Sequence, residues 1–231
     1  MRSMIIAALA ALLAACGPPQ APKVEPEFGQ KVRAYLLENP EILIEVSTAL
    51  KTKQARESIG AYRQKLERDP RDRVLNPDGE ITVVQLFDYN CGYCKVIAPD
   101  VLALARTHPQ VRFVFKDMVI FGETSEFAAA GAALASTPAQ YIALHKALMA
   151  AKPLDDSAAA RIMAAHGIDP AAARREQTSA ARKKYLQDVH AIASGLAIDG
   201  TPAFIIGDTL IPGADPEALK AAIAAELRKK S

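Results

Sequence analysis

Two cysteines, Cys91 and Cys94, sit between a run of β-formers, Ile81 to Phe87, and a helical run from Val96 to Thr107. A second run, Val111 to Phe115, follows with Val, Phe, Val and Phe among its residues. Strand, cysteine pair, helix and strand in that order make a βαβ unit with the pair at the helix entrance. Asn76-Pro77-Asp78-Gly79 marks a turn before the first strand. An Ala-rich helical stretch then runs from about Ser125 to Leu196, broken near Pro138, Pro153, Gly167 and Pro170. Ala203 to Ile206 and Thr209 to Ile211 read as strands around the Gly207-Asp208 turn, and Asp215 to Lys229 as a closing helix. The expected fold class is α/β, a domain over 71–231 with a helical insertion at about 122–197.

The chemistry of such a pair follows from its position. Only a thiolate attacks a disulfide, and the unpaired N–H groups and dipole of a helix N-terminus stabilise negative charge there. Cysteines so placed have pKa values lowered to about 3.5–7. Cys91 is therefore the expected exposed nucleophile. Cys94, one turn deeper, is the residue expected to resolve the mixed disulfide. A closed zinc site needs about four ligands. The four histidines, His108, His145, His166 and His190, are scattered singly and read as surface or satisfied core residues, so the expected metal set is none, as is the cofactor set.

Charge excludes another class. The 28 Lys and Arg against 26 Asp and Glu leave a net charge of +2 with no long basic block, which argues against a nucleic-acid partner. With 50% hydrophobic residues there is ample material for one compact domain and a smaller appendage.

The first fifteen residues form a separate object. Met4 to Ala15 is an apolar run too short for the roughly 20 residues a spanning helix needs, and it reads as a secretory leader, 1–15. It ends in Leu13-Ala14-Ala15-Cys16, which resembles the bacterial lipobox, implying lipid on Cys16 and a membrane anchor. Gly17 after that cysteine implies the outer membrane. Lipidation also resolves the cysteine arithmetic, because three cysteines in an oxidising compartment otherwise leave one unpaired. Residues 16–27 carry Pro18, Pro19, Pro22 and Pro26 and read as an extended tether. Residues 28–70 are helical, with Asn39-Pro40 starting a helix whose stripe holds Leu43, Val46, Leu50, Ile59, Tyr62 and Leu66. Such a face needs a partner, either this chain's own domain or a second copy in a homo-oligomer.

Gln85-Leu86-Phe87-Asp88-Tyr89-Asn90-Cys91-Gly92-Tyr93-Cys94-Lys95 resembles the active-site segment of the DsbA-like thioredoxin-fold proteins, and Gly200-Thr201-Pro202-Ala203-Phe204 resembles their second signature. Tyr35-Leu36-Leu37-Glu38-Asn39-Pro40-Glu41 is similar to the N-terminal segment of ScsC-type proteins, which are linked to copper tolerance and often oligomeric. The resemblance implies a thioredoxin-like fold, a cis bond at Pro202 facing the cysteines, and a backbone at Thr201 that pairs with substrate peptide. It implies protein thiol–disulfide exchange in the periplasm, with cysteine-containing exported proteins as substrates and a membrane redox partner of DsbD or DsbB type. Gly92, Tyr93 and Gln85 are the expected tuning residues. Gln85 stands where many relatives carry a buried Glu thought to move a proton at the deeper cysteine, which an amide cannot do. Lys116 and Asp117, after the second strand, are possible neighbours but read as a solvated ion pair, and Val119 stands where relatives often have Pro. Gly92-Tyr93 and Thr201 favour isomerase or reductase activity, while the helical insertion resembles monomeric oxidases. Copper(I) held by the two soft thiolates is the reading from a different class, and a chaperone-like adaptor is another.

Overall fold

The computed structural model describes residues 25–230. The leader and Cys16 lie outside them, as does most of the tether. Among the described residues no helix is long and apolar enough to cross a membrane. The chain divides into two compact units, the first ending at Ala49 and the second beginning at Leu50.

Two helices open the described chain, α1 (Pro26–Glu38) and α2 (Glu41–Glu67). Asn39 closes α1, its backbone N–H and its Nδ2 both donating to the Tyr35 carbonyl. Pro40 cannot donate, and the helical path restarts at Glu41. The apolar stripe expected along α2 does not behave as one face. Leu43, Val46 and Leu50 are exposed, whereas Ile59 and Leu66 are buried and Tyr62 is half-buried against the core. The polar residues between Leu50 and Ile59 mark the change. Arg63 also ties α2 down, donating to Asp208 at 2.6 Å.

The second unit is built on a five-stranded sheet ordered β1 (Arg73–Leu75), β3 (Val111–Asp117), β2 (Ile81–Phe87), β4 (Ala203–Ile206), β5 (Thr209–Pro212). Only β2 and β3 are parallel; every other pair is antiparallel. Helix α3 (Gly92–Thr107) makes the crossover between β2 and β3, as a parallel pair requires. All seven residues of β3 and six of seven in β2 are buried, so both read as continuous apolar runs broken by Gln85, Arg112, Lys116 and Asp117. Three-residue β1 was not evident in the sequence; it exists through its pairing of Arg73 with Phe115 and Leu75 with Phe113. The preceding turn is tight: a Cβ on Gly79 would stand 2.4 Å from the Arg112 nitrogen.

Between β3 and β4 lie five helices, α4 (Glu123–Ala133), α5 (Pro138–Ala150), α6 (Asp156–Ala165), α7 (Pro170–Thr178) and α8 (Ala180–Gly195), and α9 (Pro216–Lys230) closes the chain. The breaks are chemical. Thr137, Asp155, Asp169 and Ser179 each accept a first-turn backbone N–H, and Pro138 and Pro170 occupy the first helical position. Each such cap is worth about 1 kcal/mol, enough to punctuate an otherwise uniform Ala-rich run. The α/β fold with a helical insertion between strands and a preceding helical segment is as the sequence implies.

Candidate active site

Strand β2 ends at Phe87, and the chain turns through Asp88, Tyr89 and Asn90 into Cys91, the N-cap of α3. The Cys91 backbone is extended there, and its sulfur accepts from the Cys94 N–H at 3.5 Å. A sulfur in the N-cap position thus faces the free amides of the first helical turn. The Thr201–Pro202 peptide is cis, and the Thr201 carbonyl accepts from the Cys91 thiol at 3.1 Å. The structure therefore brings Cys91, Cys94, Thr201 and Pro202 together, with both cysteines as free thiols.

The expected exposure of Cys91 is corrected. Its sulfur is buried, the residue being 3% exposed, because the loop carrying Thr201 and Pro202 lies over it. Cys94 is wholly buried, and that burial pushes its thiol far above the ordinary range against the pull of the Asp88 backbone. Around them Tyr93 and Val96 on α3, and Ile120 and Phe121 after β3, are exposed apolar side chains. Gly92 is exposed, with open space where a Cβ would stand. Gln85 is buried on β2, and neither atom of its amide meets a protein hydrogen-bond partner.

Lys116 and Asp117 are not a solvated pair. Lys116 is fully buried and donates to Asp72 at 2.6 Å, while Asp117 accepts from Arg182 at 2.8 Å. Neighbours in sequence, they take different partners because successive strand residues point to opposite faces. Tyr185 Oη completes this cluster at 2.9 Å from Asp72. Burial raises the Asp72 carboxyl to about 6, against the opposing pull of Lys116 and Tyr185.

Asp88 is the site residue that sequence reasoning passed over. Its buried carboxylate accepts from the Asn90 N–H at 2.6 Å, the Ile120 N–H at 2.8 Å, the Phe121 N–H at 3.0 Å and the Ser125 hydroxyl at 2.6 Å. Four donors compensate its burial, and they clamp the loop before Cys91 to the loop after β3. A short carboxylate at the end of a strand, two residues before a bonded N–H, is an Asx-turn former, and that was the available signal. Tyr89 beside it is buried with its hydroxyl 3.1 Å from His145 Nδ1, and the Tyr141 hydroxyl stands 3.3 Å from the same nitrogen. Burial lowers His145 to about 3 and keeps it neutral.

Residues 82–150 and 125–224 match the DSBA-like thioredoxin domain, and residues 25–57 match the copper resistance protein ScsC N-terminal domain. A thioredoxin-like oxidoreductase from Silicibacter pomeroyi DSS-3 is similar at 34% identity and a TM-score of 0.66, covering 72% of this chain and 98% of that one. Proteus mirabilis ScsC in a transitional conformation is similar at 30% identity and a TM-score of 0.68, covering 89% of this chain and 100% of that one. A periplasmic thioredoxin-like protein from Salmonella enterica serovar Typhimurium shows 28% identity and a TM-score of 0.66, with 73% and 97% covered. No curated protein matches. A fold, a domain match over more than half the chain and a relative aligned along its whole length agree, and the chain belongs to the DsbA-like thioredoxin-domain family of thiol–disulfide oxidoreductases, with an ScsC-like N-terminal helical segment.

Proposed function

We propose that this oxidoreductase exchanges disulfides with cysteine-containing exported proteins through Cys91 and Cys94, acting as an isomerase or reductase in the periplasm. The observation that carries the reading is the Cys91 sulfur at the α3 N-cap, 3.1 Å from the Thr201 carbonyl. In the proposed reaction the Cys91 thiolate attacks a substrate disulfide, forming a mixed disulfide and releasing a substrate thiolate. In isomerisation a second substrate thiolate attacks the substrate sulfur of that bond and returns Cys91. In reduction Cys94 gives up its proton and attacks the Cys91 sulfur, leaving a Cys91–Cys94 disulfide and a reduced substrate. A membrane redox partner of DsbD type then restores the dithiol. Tyr93, Val96, Ile120 and Phe121 offer apolar contact to an extended peptide held at Thr201. Gln85, an amide that cannot take up a proton as a carboxylate would, slows proton loss from Cys94, and the tuning assigned to Gly92 and Tyr93 follows from their place between the cysteines.

The N-terminal helices support the isomerase side. Phe28, Val32, Tyr35, Leu37, Leu43, Ile44, Val46 and Leu50 are exposed, and a face of this size fits a second copy of the chain, so that several active sites share one space. A lipid on Cys16 anchors the assembly to a membrane, the outer membrane on the reading of Gly17.

Cys91→Ser tests the central claim. Turnover of insulin and of a scrambled disulfide substrate falls to background, while folding is retained. Undiminished turnover would falsify the assignment. Light scattering on Tyr35→Glu/Val46→Glu reports a monomer with reduced isomerase activity, whereas a wild-type chain already monomeric at micromolar concentration removes the isomerase preference. The copper reading, motivated by the description of the N-terminal match, requires Cu(I) binding that Cys91→Ser abolishes.

A further inference from the structure

A groove of about 720 Å³ runs between α3, α5 and the end of β1, within the second unit and separate from the cysteine pair. Its volume falls inside the range of about 300–1,000 Å³ typical of small-molecule sites. The walls are mainly aliphatic, including Ala98, Leu102, Ile142 and Met149, and the charged lining residues are Lys95, Arg106 and Lys146, with no carboxylate among them. Arg106 and Lys146 have no acidic partner among the described residues.

The cations are not spread evenly. Lys95 Nζ donates to the Ala151 carbonyl at 2.6 Å and the Leu148 carbonyl at 3.4 Å, beyond Lys146 on the same helix. The Lys95 ammonium therefore belongs to the end of the groove near the C-terminus of α5, and Lys146 lines the groove from the last two turns of that helix. Lys95 is half-buried and its pKa is lowered, first by burial and then by Lys152, with Asp88 opposing the shift, so three lysines gather at this end while no carboxylate lines the groove. Aliphatic wall then continues along α3 toward Arg106, eleven residues on, about 16 Å at the helical rise. A long apolar trough with cations and no acids is complementary to one chemistry.

We propose that the groove between α3 and α5 binds a single-chain anionic amphiphile, a fatty-acid carboxylate, with its head at Lys95 and Lys146 and its chain along Leu102 and Ile142. The carboxylate supplies the acidic partner that Lys146 lacks, and burial of the chain supplies the remaining affinity. Lys95 directly follows Cys94, so the occupied groove lies along the same helix that carries the cysteine pair.

Calorimetric titration of the intact chain with dodecanoate tests this, with dodecyltrimethylammonium and acetate as head-charge and chain controls. One dodecanoate binds per chain, and the cationic amphiphile and acetate each bind at least about tenfold more weakly. Lys146→Glu weakens dodecanoate about tenfold, Arg106→Glu less so, and Ile142→Trp fills the groove and blocks binding. All three variants keep disulfide turnover, because none belongs to the cysteine site. Equal binding of both amphiphiles, unchanged affinity in Lys146→Glu, or no binding of dodecanoate overturns the proposal. Displacement of dodecanoate by an acidic peptide at lower concentration also overturns it, and assigns the groove to a polypeptide.

Discussion

Beneath the two faces of one strand the protein keeps two buried polar clusters of opposite character. Phe115 packs against Tyr141 and His145, at the neutral trio that His145 forms with the Tyr89 and Tyr141 hydroxyls. Lys116, the next residue, belongs to the ionic cluster with Asp72 and Tyr185. The neutral cluster is joined to the loop that enters Cys91, since Tyr89 follows Asp88 directly. The ionic cluster fastens the segment after α2 to the sheet and to α8, with Arg182 and Asp117 alongside. The difference teaches how charge is allotted here. The buried ion pairs join distant chain segments, and hydroxyl and imidazole groups stand beside the loop that enters Cys91. Asp88 is the charged residue built into the loop itself, and its four donors spread its charge.

Breaking the ionic cluster from one side has the largest expected effect. Lys116→Met strands the Asp72 carboxylate and costs about 3–5 kcal/mol in denaturant unfolding, whereas Lys116→Met with Asp72→Asn costs clearly less. A double variant as unstable as the single one would show that packing, not pairing, dominates. The neutral trio is the next test. His145→Phe keeps the aromatic packing but leaves two buried hydroxyls with one partner fewer, at about 1–3 kcal/mol.

Acidity sharpens the contrast, because the two clusters respond with opposite sign. His145 has its folded value, about 3, below the ordinary 6.5. Its contribution is full above pH 6.5 and is lost as pH falls toward about 3. Asp72 has its folded value, about 6, above the ordinary 3.8. Its contribution is full below pH 3.8 and is lost as pH rises through about 6. Between pH 4 and 6 the wild-type slope is thus a difference of two terms. His145→Phe makes unfolding free energy fall more steeply with rising pH in that window, and Asp72→Asn makes it rise; identical slopes in all three proteins would refute the assignment. This effect on slope is the smallest of the three.

These clusters also show where sequence reasoning stops. The cysteine pair, the strand before it and the proline loop are legible because each is local: a β-rich run, a CxxC spacing, a Thr-Pro before apolar residues. Lys116 and Asp117 were misread because adjacency in sequence suggested a pair, while their partners lie 44 and 65 residues away. Strand β1 escaped for a related reason, since three residues become a strand only through the neighbour they meet. The burial of Cys91 depends on Thr201, 110 residues later. The breaks in the Ala-rich stretch are legible where Pro138, Pro153, Gly167 and Pro170 mark them, whereas the Ser179 cap that divides α7 from α8 has no Pro or Gly to announce it.

The depth of Cys94 has one more consequence. In the proposed reaction the only way out of a mixed disulfide that does not depend on the client is supplied by a thiol that solvent and large reagents do not reach. Remove it, as Cys94→Ala does, and a client bound through Cys91 has no internal exit. The molecule then becomes a snare rather than a catalyst, and the proteins it holds are a roll of its natural clients.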